Sequence, residues 1–297
     1  MSLRDFGLLV LVCLIWASNN IISKFAVSHL GAPPLFYAAV RFAVVVLAVF
    51  PWLRPLPRPL WRMVLVGLLM GGGNFALLFV GLQTATPSAV AVVVQLGVPI
   101  TTLLSMFMLG EQIRWRRGIG MALTLAGALA VMWDPGGFVL SPGLMFVVAA
   151  AFTGSLGAVM MKQMEGIKPL QFQAWVGLSS LLPLIALSAW LERGQVHAGL
   201  LGEWRFWAAA VYSGLVVSVV AHTLYYGLIQ RYEATLISPL TLMTPLATIA
   251  LGVALLGDPF GPRMVLGTAL ALAGVLIIAL RRNQVMPLLL ALWNRSQ

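Results

Sequence analysis

Ten apolar stretches, most close to 20 residues long, divide this sequence, and no other feature constrains its fold as strongly. A helix of about 20 apolar residues crosses a hydrocarbon core roughly 30 Å thick. Within that core each backbone N–H and C=O must find its partner inside the chain, so every stretch reads as a helix. The stretches lie near 5–28, 33–53, 60–82, 86–109 and 113–133, then near 141–162, 169–191, 204–228, 234–257 and 261–281. Apolar residues make up 61% of the 297 and charged residues 9%, which is too little charge to coat a soluble domain of this size. The expected fold is an all-α integral membrane protein with ten transmembrane helices.

The net charge of +10 does not point to nucleic acid, because the eighteen Lys and Arg residues sit in short clusters between apolar stretches. If the N-terminus is cytoplasmic, thirteen of them face the cytoplasm and three, Arg193, Arg205 and Arg263, face the other side. That bias places both termini in the cytoplasm and agrees with an even number of spans. The first stretch lacks a small-residue cleavage site and reads as a retained helix. Residues Met286 to Trp293 are apolar but too few to span, and read as a tail on the cytoplasmic leaflet. A lone cysteine, Cys13, excludes an intrachain disulfide.

The chain repeats itself. Gly110-Glu111 after the fourth stretch returns as Gly257-Asp258 after the ninth, and Gly120 and Gly127 return as Gly267 and Gly274, all offset by 147 residues. Pro99 and Pro245 correspond with a one-residue shift. The expected organisation is a first repeat over 1–137, a second over 138–282 and a tail over 283–297. Because five is odd, the second unit enters the membrane upside down relative to the first. Two inverted five-helix repeats are the architecture of many secondary transporters.

All eight acids fall in loops or at span ends, so no carboxylate lies at membrane depth. A dry site for drug cations or metal ions needs an anionic partner, which leaves neutral or zwitterionic ligands and no metal site. Two cations do lie within stretches, Lys24 and Arg41. A charge at a helix centre costs about 2.5 to 3.5 kcal/mol on insertion scales. Lys24 is close enough to the outer end to snorkel, whereas Arg41 must face the bundle and bind either backbone carbonyls or a ligand carboxylate. The mid-span polar residues Asn19, Asn20, Asn74, Gln95, Ser155 and His222 must likewise face protein or a water-filled cavity. Trp16, Phe75, Phe79 and Tyr226 are candidates for an aromatic wall beside them. Together with Arg41 these ten form the expected binding set. Pro99 and Pro245, at matched mid-span places, are expected hinges. Gly120, Thr124 and Gly127, matched by Gly267, Ala271 and Gly274, give the fifth and tenth stretches small-residue faces. Those faces suit close packing of the halves in a monomer, or homodimerisation as the alternative. There is no HExxH, no Walker loop and no Cys-rich metal spacing, so neither an enzyme nor a cofactor is expected.

Thr86-Pro-Ser-Ala-Val, Val98-Pro99-Ile100, Leu109-Gly110-Glu111 and Gly118-Ile-Gly120 have a second copy in Ala234-Thr-Leu-Ile-Ser-Pro, Thr244-Pro245-Leu246 and Leu256-Gly257-Asp258. Trp16-Ala-Ser-Asn-Asn, Lys24 and Val40-Arg41-Phe42 complete a pattern that resembles the EamA repeat of the drug/metabolite transporter superfamily. Within that superfamily the pattern is most similar to YddG-type exporters of aromatic and other amino acids, methionine and threonine included. The resemblance implies export by alternating access from a bacterial inner membrane, with no ATP use. It also implies a central cavity lined mainly by spans 1, 3, 4, 6, 8 and 9. Where small multidrug relatives carry a carboxylate in the first span, this chain has Asn19 and Asn20, so uncoupled efflux is expected and coupling through His222 is the lesser alternative. Rival expectations are an anionic metabolite such as a sugar nucleotide, held by Lys24 and Arg41, and a membrane enzyme or sensor without transport.

Overall fold

A computed structural model describes residues 1–110, 115–134, 139–164, 166–232, 237 and 240–279. Among the described residues are ten apolar helical segments that account for the ten spans. The first half has α1 (Leu3–His29), α2 (Pro34–Leu53), α3 (Leu60–Thr84), α4 (Pro87–Leu109) and α5 (Trp115–Met132). The second has α6 (Pro142–Met161), α7 (Pro169–Leu191), α8 (residues 204–231), α9 (Met243–Leu256) and α10 (Pro262–Ala279). Seven of these are apolar and long enough to span on their own, and the described parts of α5, α9 and α10 are shorter.

The sequence marks the ends of these helices. Proline occupies the first helical position of α2, α4, α6, α7 and α10, where its missing N–H costs nothing. Gly110 and Gly257 close α4 and α9 with φ of 68° and 67°, a left-handed turn that glycine adopts without strain. The duplication noticed in sequence is thus a duplicated helix stop.

The all-α expectation holds except at one join between the halves. Strands β1 (Trp133–Asp134) and β2 (Val139–Leu140) pair antiparallel, Trp133 opposite Leu140 and Asp134 opposite Val139. The halves do not sit side by side. They interleave, with α5 along α10, α2 along α7, α3 along α6 and α1 along α9. Helices α5 and α10 approach most closely, and an added Cβ at Gly120 would lie 2.7 Å from the Gly274 carbonyl oxygen. Their small-residue faces are therefore spent on each other within one chain, not left free for a second copy. Because the crossings alternate, the bundle has a terminal face, where α1 begins and α8 ends, and a far face, where α1 ends and α4 begins.

Candidate functional site

The centre of the bundle is organised by an irregular helix. Helix α8 runs as Trp204–Val211, then ten residues of wider π-helical winding over Tyr212–Ala221, then His222–Arg231. In π winding each residue bonds to the one five before it, a geometry frequent at functional sites. Side chains here follow the same spacing: Ser218 Oγ donates to the Ser213 carbonyl at 3.0 Å, and His222 Nδ1 lies 2.7 Å from the Val217 carbonyl. Helix α3 has its own π segment at Leu68–Gly73. Shifted by the repeat offset, that segment lands inside the one in α8.

Arg41, on α2, meets the α8 segment in full burial. Its Nε and Nη2 donate to Ser218 Oγ at 3.1 and 2.9 Å. The guanidinium carbon lies 3.8 Å from the centroid of the Phe75 ring, with Phe79 and Phe42 at 5.9 and 6.0 Å. Ring faces attract a cation, but they do not satisfy N–H groups, and Arg41 Nη1 has no hydrogen-bond partner. Of the two sequence alternatives for Arg41, backbone carbonyls are not what it binds. A serine hydroxyl and an aromatic face hold it instead.

One turn away, Ser213 Oγ donates to Asn19 Oδ1 at 2.7 Å and lies 2.8 Å from the Tyr37 hydroxyl, so α1, α2 and α8 share one polar knot. Ser18 and Tyr212 add a 2.6 Å contact between α1 and α8. Towards the terminal face, the Trp16 ring packs 5.4 Å from His222 and 5.0 Å from Tyr225, and its Nε1 is buried without a partner. Thus Trp16, Asn19, Arg41, Phe75, Phe79 and His222 of the expected set gather around the α8 segment, contributed by α1, α2, α3 and α8. Asn20 reaches α9 instead, with Nδ2 3.4 Å from Thr248 Oγ1.

Asn74 and Ser155 each bond to a neighbouring helix. Asn74 Nδ2 donates to the Ala150 carbonyl at 2.6 Å and Ser155 Oγ to the Gly97 carbonyl at 2.9 Å, tying α3 to α6 and α6 to α4. Gln95 is half-buried in a 3-10 turn, Val94–Leu96, that interrupts α4. The Tyr226 side chain, Glu111 and the 283–297 tail lie outside the described residues. The α4 interruption sits one turn before Pro99, whose ring removes the bond to the Gln95 carbonyl. Helix α9 likewise starts its regular winding at Met243, after a turn at 241–242. Both prolines therefore mark real discontinuities.

Sequence reasoning missed Ser213, Ser218 and Tyr37, because a serine in an apolar run carries no signal until the helix pitch is known. Lys24 sits at the far face as a snorkelling lysine does, half-buried, and its ammonium donates there to the Leu82 and Gln83 carbonyls at 2.8 and 3.2 Å, capping α3. Two acids seal the same face. Asp258 Oδ2 accepts from Ser88 N and Oγ at 3.0 and 2.5 Å, and Glu192 accepts from Leu35 N and Phe36 N, each at 2.8 Å. Each carboxylate from the second half thereby caps a helix N-terminus of the first half, where unpaired N–H groups favour negative charge.

Ten interleaved helices in inverted halves, with a polar and aromatic knot where discontinuous helices meet, define a membrane transporter. Comparison with known families specifies which kind. The EamA-like transporter family matches residues 6–133 and again 141–280, and the chain belongs to that family. It is therefore a multi-pass transporter, not an enzyme. Among its relatives is a probable amino-acid metabolite efflux pump of Salmonella typhimurium, 28% identical over 93% of this chain and 95% of that protein. The Escherichia coli protein of the same description is also 28% identical, over 93% and 95%. A crystal structure at 21% identity matches with a TM-score of 0.65 over 93% of this chain and 96% of the other, which supports the fold.

Proposed function

We propose that the chain exports amino acids with apolar or aromatic side chains from the cytoplasm by alternating access, without ion coupling. The observation that carries this reading is Arg41, a fully buried cation with an unpartnered Nη1 and no carboxylate partner among the described residues. A substrate carboxylate is the missing anion, and charge-assisted bonds to it are the strong kind. Trp16, Phe75 and Phe79 supply an aromatic wall, Asn19 and His222 polar positions, and Asn20, Asn74, Gln95, Ser155 and Tyr226 the remainder of the lining. In this structure Arg41 is covered by Phe75 and Phe79, so substrate reaches it after α8 shifts at its π segment. The breaks before Pro99 and Pro245 serve as hinges for that rocking. The descriptions of the two efflux-pump relatives support the substrate class.

The two repeats span residues 1–137 and 138–282 and, because they interleave, each rocking unit takes helices from both; the terminal face is the cytoplasmic one, as the distribution of basic residues favours. The anionic-metabolite alternative needs Lys24 as a second ligand, and that side chain is occupied by the end of α3. Uptake of a labelled amino-acid panel into proteoliposomes, with and without a proton gradient, tests the proposal. Saturable flux of phenylalanine or methionine is expected with no gradient imposed. Absence of saturable flux for every amino acid overturns the substrate class, and a strict need for the gradient overturns the uncoupled mechanism.

A further inference from the structure

At the terminal face, between the start of α1 and the end of α8, the bundle holds a cavity of about 500 Å³ away from the Arg41 knot. Its wall is charged on one side and apolar on the other. Asp5 is fixed in place through one oxygen, Oδ2, which accepts from the Tyr232 hydroxyl at 2.7 Å and from Ser2 Oγ at 3.0 Å. The other oxygen, Oδ1, lies 3.8 Å from Arg231 Nη1. That distance is electrostatic contact without a hydrogen bond. A fixed carboxylate oxygen and a guanidinium therefore stand side by side, each with bonding capacity left over. Arg4, exposed at the rim, adds a second cation. The Thr223 hydroxyl, in the wall of the same cavity, is buried without a partner. Leu8, Leu224 and Leu228 line the apolar side.

An α-amino acid carries a carboxylate and an ammonium on one carbon, with its side chain on the same carbon. The cavity presents the complement of that arrangement: Arg231 and Arg4 for the carboxylate, Asp5 Oδ1 for the ammonium, and leucines for the side chain. We propose that this cavity is a first-contact subsite for zwitterionic amino acids, filled before the substrate passes along α1 to the Trp16 and Arg41 region. The inference rests on the amino-acid reading above and adds to it a selection step for the free α-amino group. A ligand with the carboxylate but no ammonium would leave Asp5 facing nothing. A ligand with phosphate chemistry, whether a lipid headgroup or free phosphate, would be repelled by it.

The test is side-resolved flux of labelled L-phenylalanine in proteoliposomes, with N-acetylphenylalanine as competitor. Asp5→Asn should raise KM about tenfold for substrate offered at the terminal face and leave kcat near the wild-type value, the signature of lost ground-state binding. Because an uncoupled carrier has equal kcat/KM from its two faces, kcat/KM from the far face should fall by the same factor, and the preference for phenylalanine over the N-acetyl form should fall. Arg4→Gln, at an exposed position whose loss does not endanger the fold, should raise the same KM by about threefold. Glu203→Gln, an acid on the far face, should change neither constant.

An Asp5→Asn protein with unchanged terminal-face KM overturns the subsite while saturable wild-type flux upholds the amino-acid reading. Loss of kcat from both faces assigns Asp5 a structural role and also overturns it. Tighter retention of phosphate or of anionic lipid by Asp5→Asn, with phenylalanine KM unmoved, replaces the zwitterion with a phosphate ligand. Wild-type protein without any saturable flux removes both readings together.

Discussion

The π segments of α3 and α8 occupy matching places in the two repeats and are built for different ends. In α3 the segment is Leu68–Gly73, and helix α7 meets it with Ser180, whose Oγ accepts from Gly72 N at 2.7 Å. In α8 the segment is Tyr212–Ala221, and helix α2 meets it with Arg41, which donates to Ser218. Gly71 and Ser218 are the same position of the repeat, 147 residues apart. In each half the partner helix sends a polar side chain into the loosened turn of its neighbour. One half uses a neutral hydroxyl against glycine backbone, and the other uses a full charge against a hydroxyl and three phenylalanines. Duplication supplied the same backbone device twice, and of the two contacts only the one at α8 carries a charge.

The strongest way to break this comparison is Arg41→Met. A thioether fits the face of Phe75 and removes a buried cation, and replacing buried charge by apolar packing is neutral or stabilising by about 1–4 kcal/mol. Thermal unfolding in detergent should therefore show the variant at least as stable as wild type. Flux of phenylalanine should fall roughly 10–150-fold, the equivalent of a charged hydrogen bond worth about 1.5–3 kcal/mol. A destabilised variant that still transports would make Arg41 a packing residue and leave the two segments equivalent in function.

Much of this arrangement was legible in the sequence, and the reasons for the rest are specific. The spans, their proline starts and the Gly110 and Gly257 stops are local, so composition and spacing reveal them. The 147-residue offset carried the inversion by parity alone. Helical pitch, by contrast, leaves no mark: Tyr212–Ala221 reads as an ordinary apolar run, so Ser213 and Ser218 could not be placed on one face. Lys24, Glu192 and Asp258 were visible as charges at or near span ends, but their partners include backbone groups of helices far away in sequence. Asn74 and Ser155 were identified as residues needing polar partners, and whether protein or substrate supplies those partners depends on which helices touch.

Ser218→Ala isolates the charged half of the comparison. Arg41 would keep its aromatic surroundings and lose its hydrogen-bond acceptor, at a cost of about 1.5–3 kcal/mol in stability. The same measurement on Gly71→Ala probes the neutral half. A Cβ there would meet Ser180 Oγ and lie 2.6 Å from Val176 Cγ1, close enough to push α3 off α7. Overpacking of this sort costs about 1–3 kcal/mol. A Gly71→Ala protein as stable as wild type would show that the α3 segment yields easily and that its glycine is not required by the approach of α7.

The smallest expected effect is the most discriminating. Ser180→Ala removes the hydroxyl that accepts from Gly72 N and donates to the Gly67 carbonyl at 3.3 Å, leaving the fold with one good neutral bond fewer, worth about 0.5–1.5 kcal/mol. If the α3 segment is only a structural counterpart, phenylalanine flux through this variant should match wild type within twofold, about 0.4 kcal/mol in a barrier. If alternating access needs both segments to shift in turn, freeing α3 from α7 changes the balance between the two open states, and flux from the two faces departs from wild type in opposite directions. Side-resolved flux of Ser180→Ala beside Arg41→Met therefore separates a transporter with one chemically active segment from one that rocks on two equal ones.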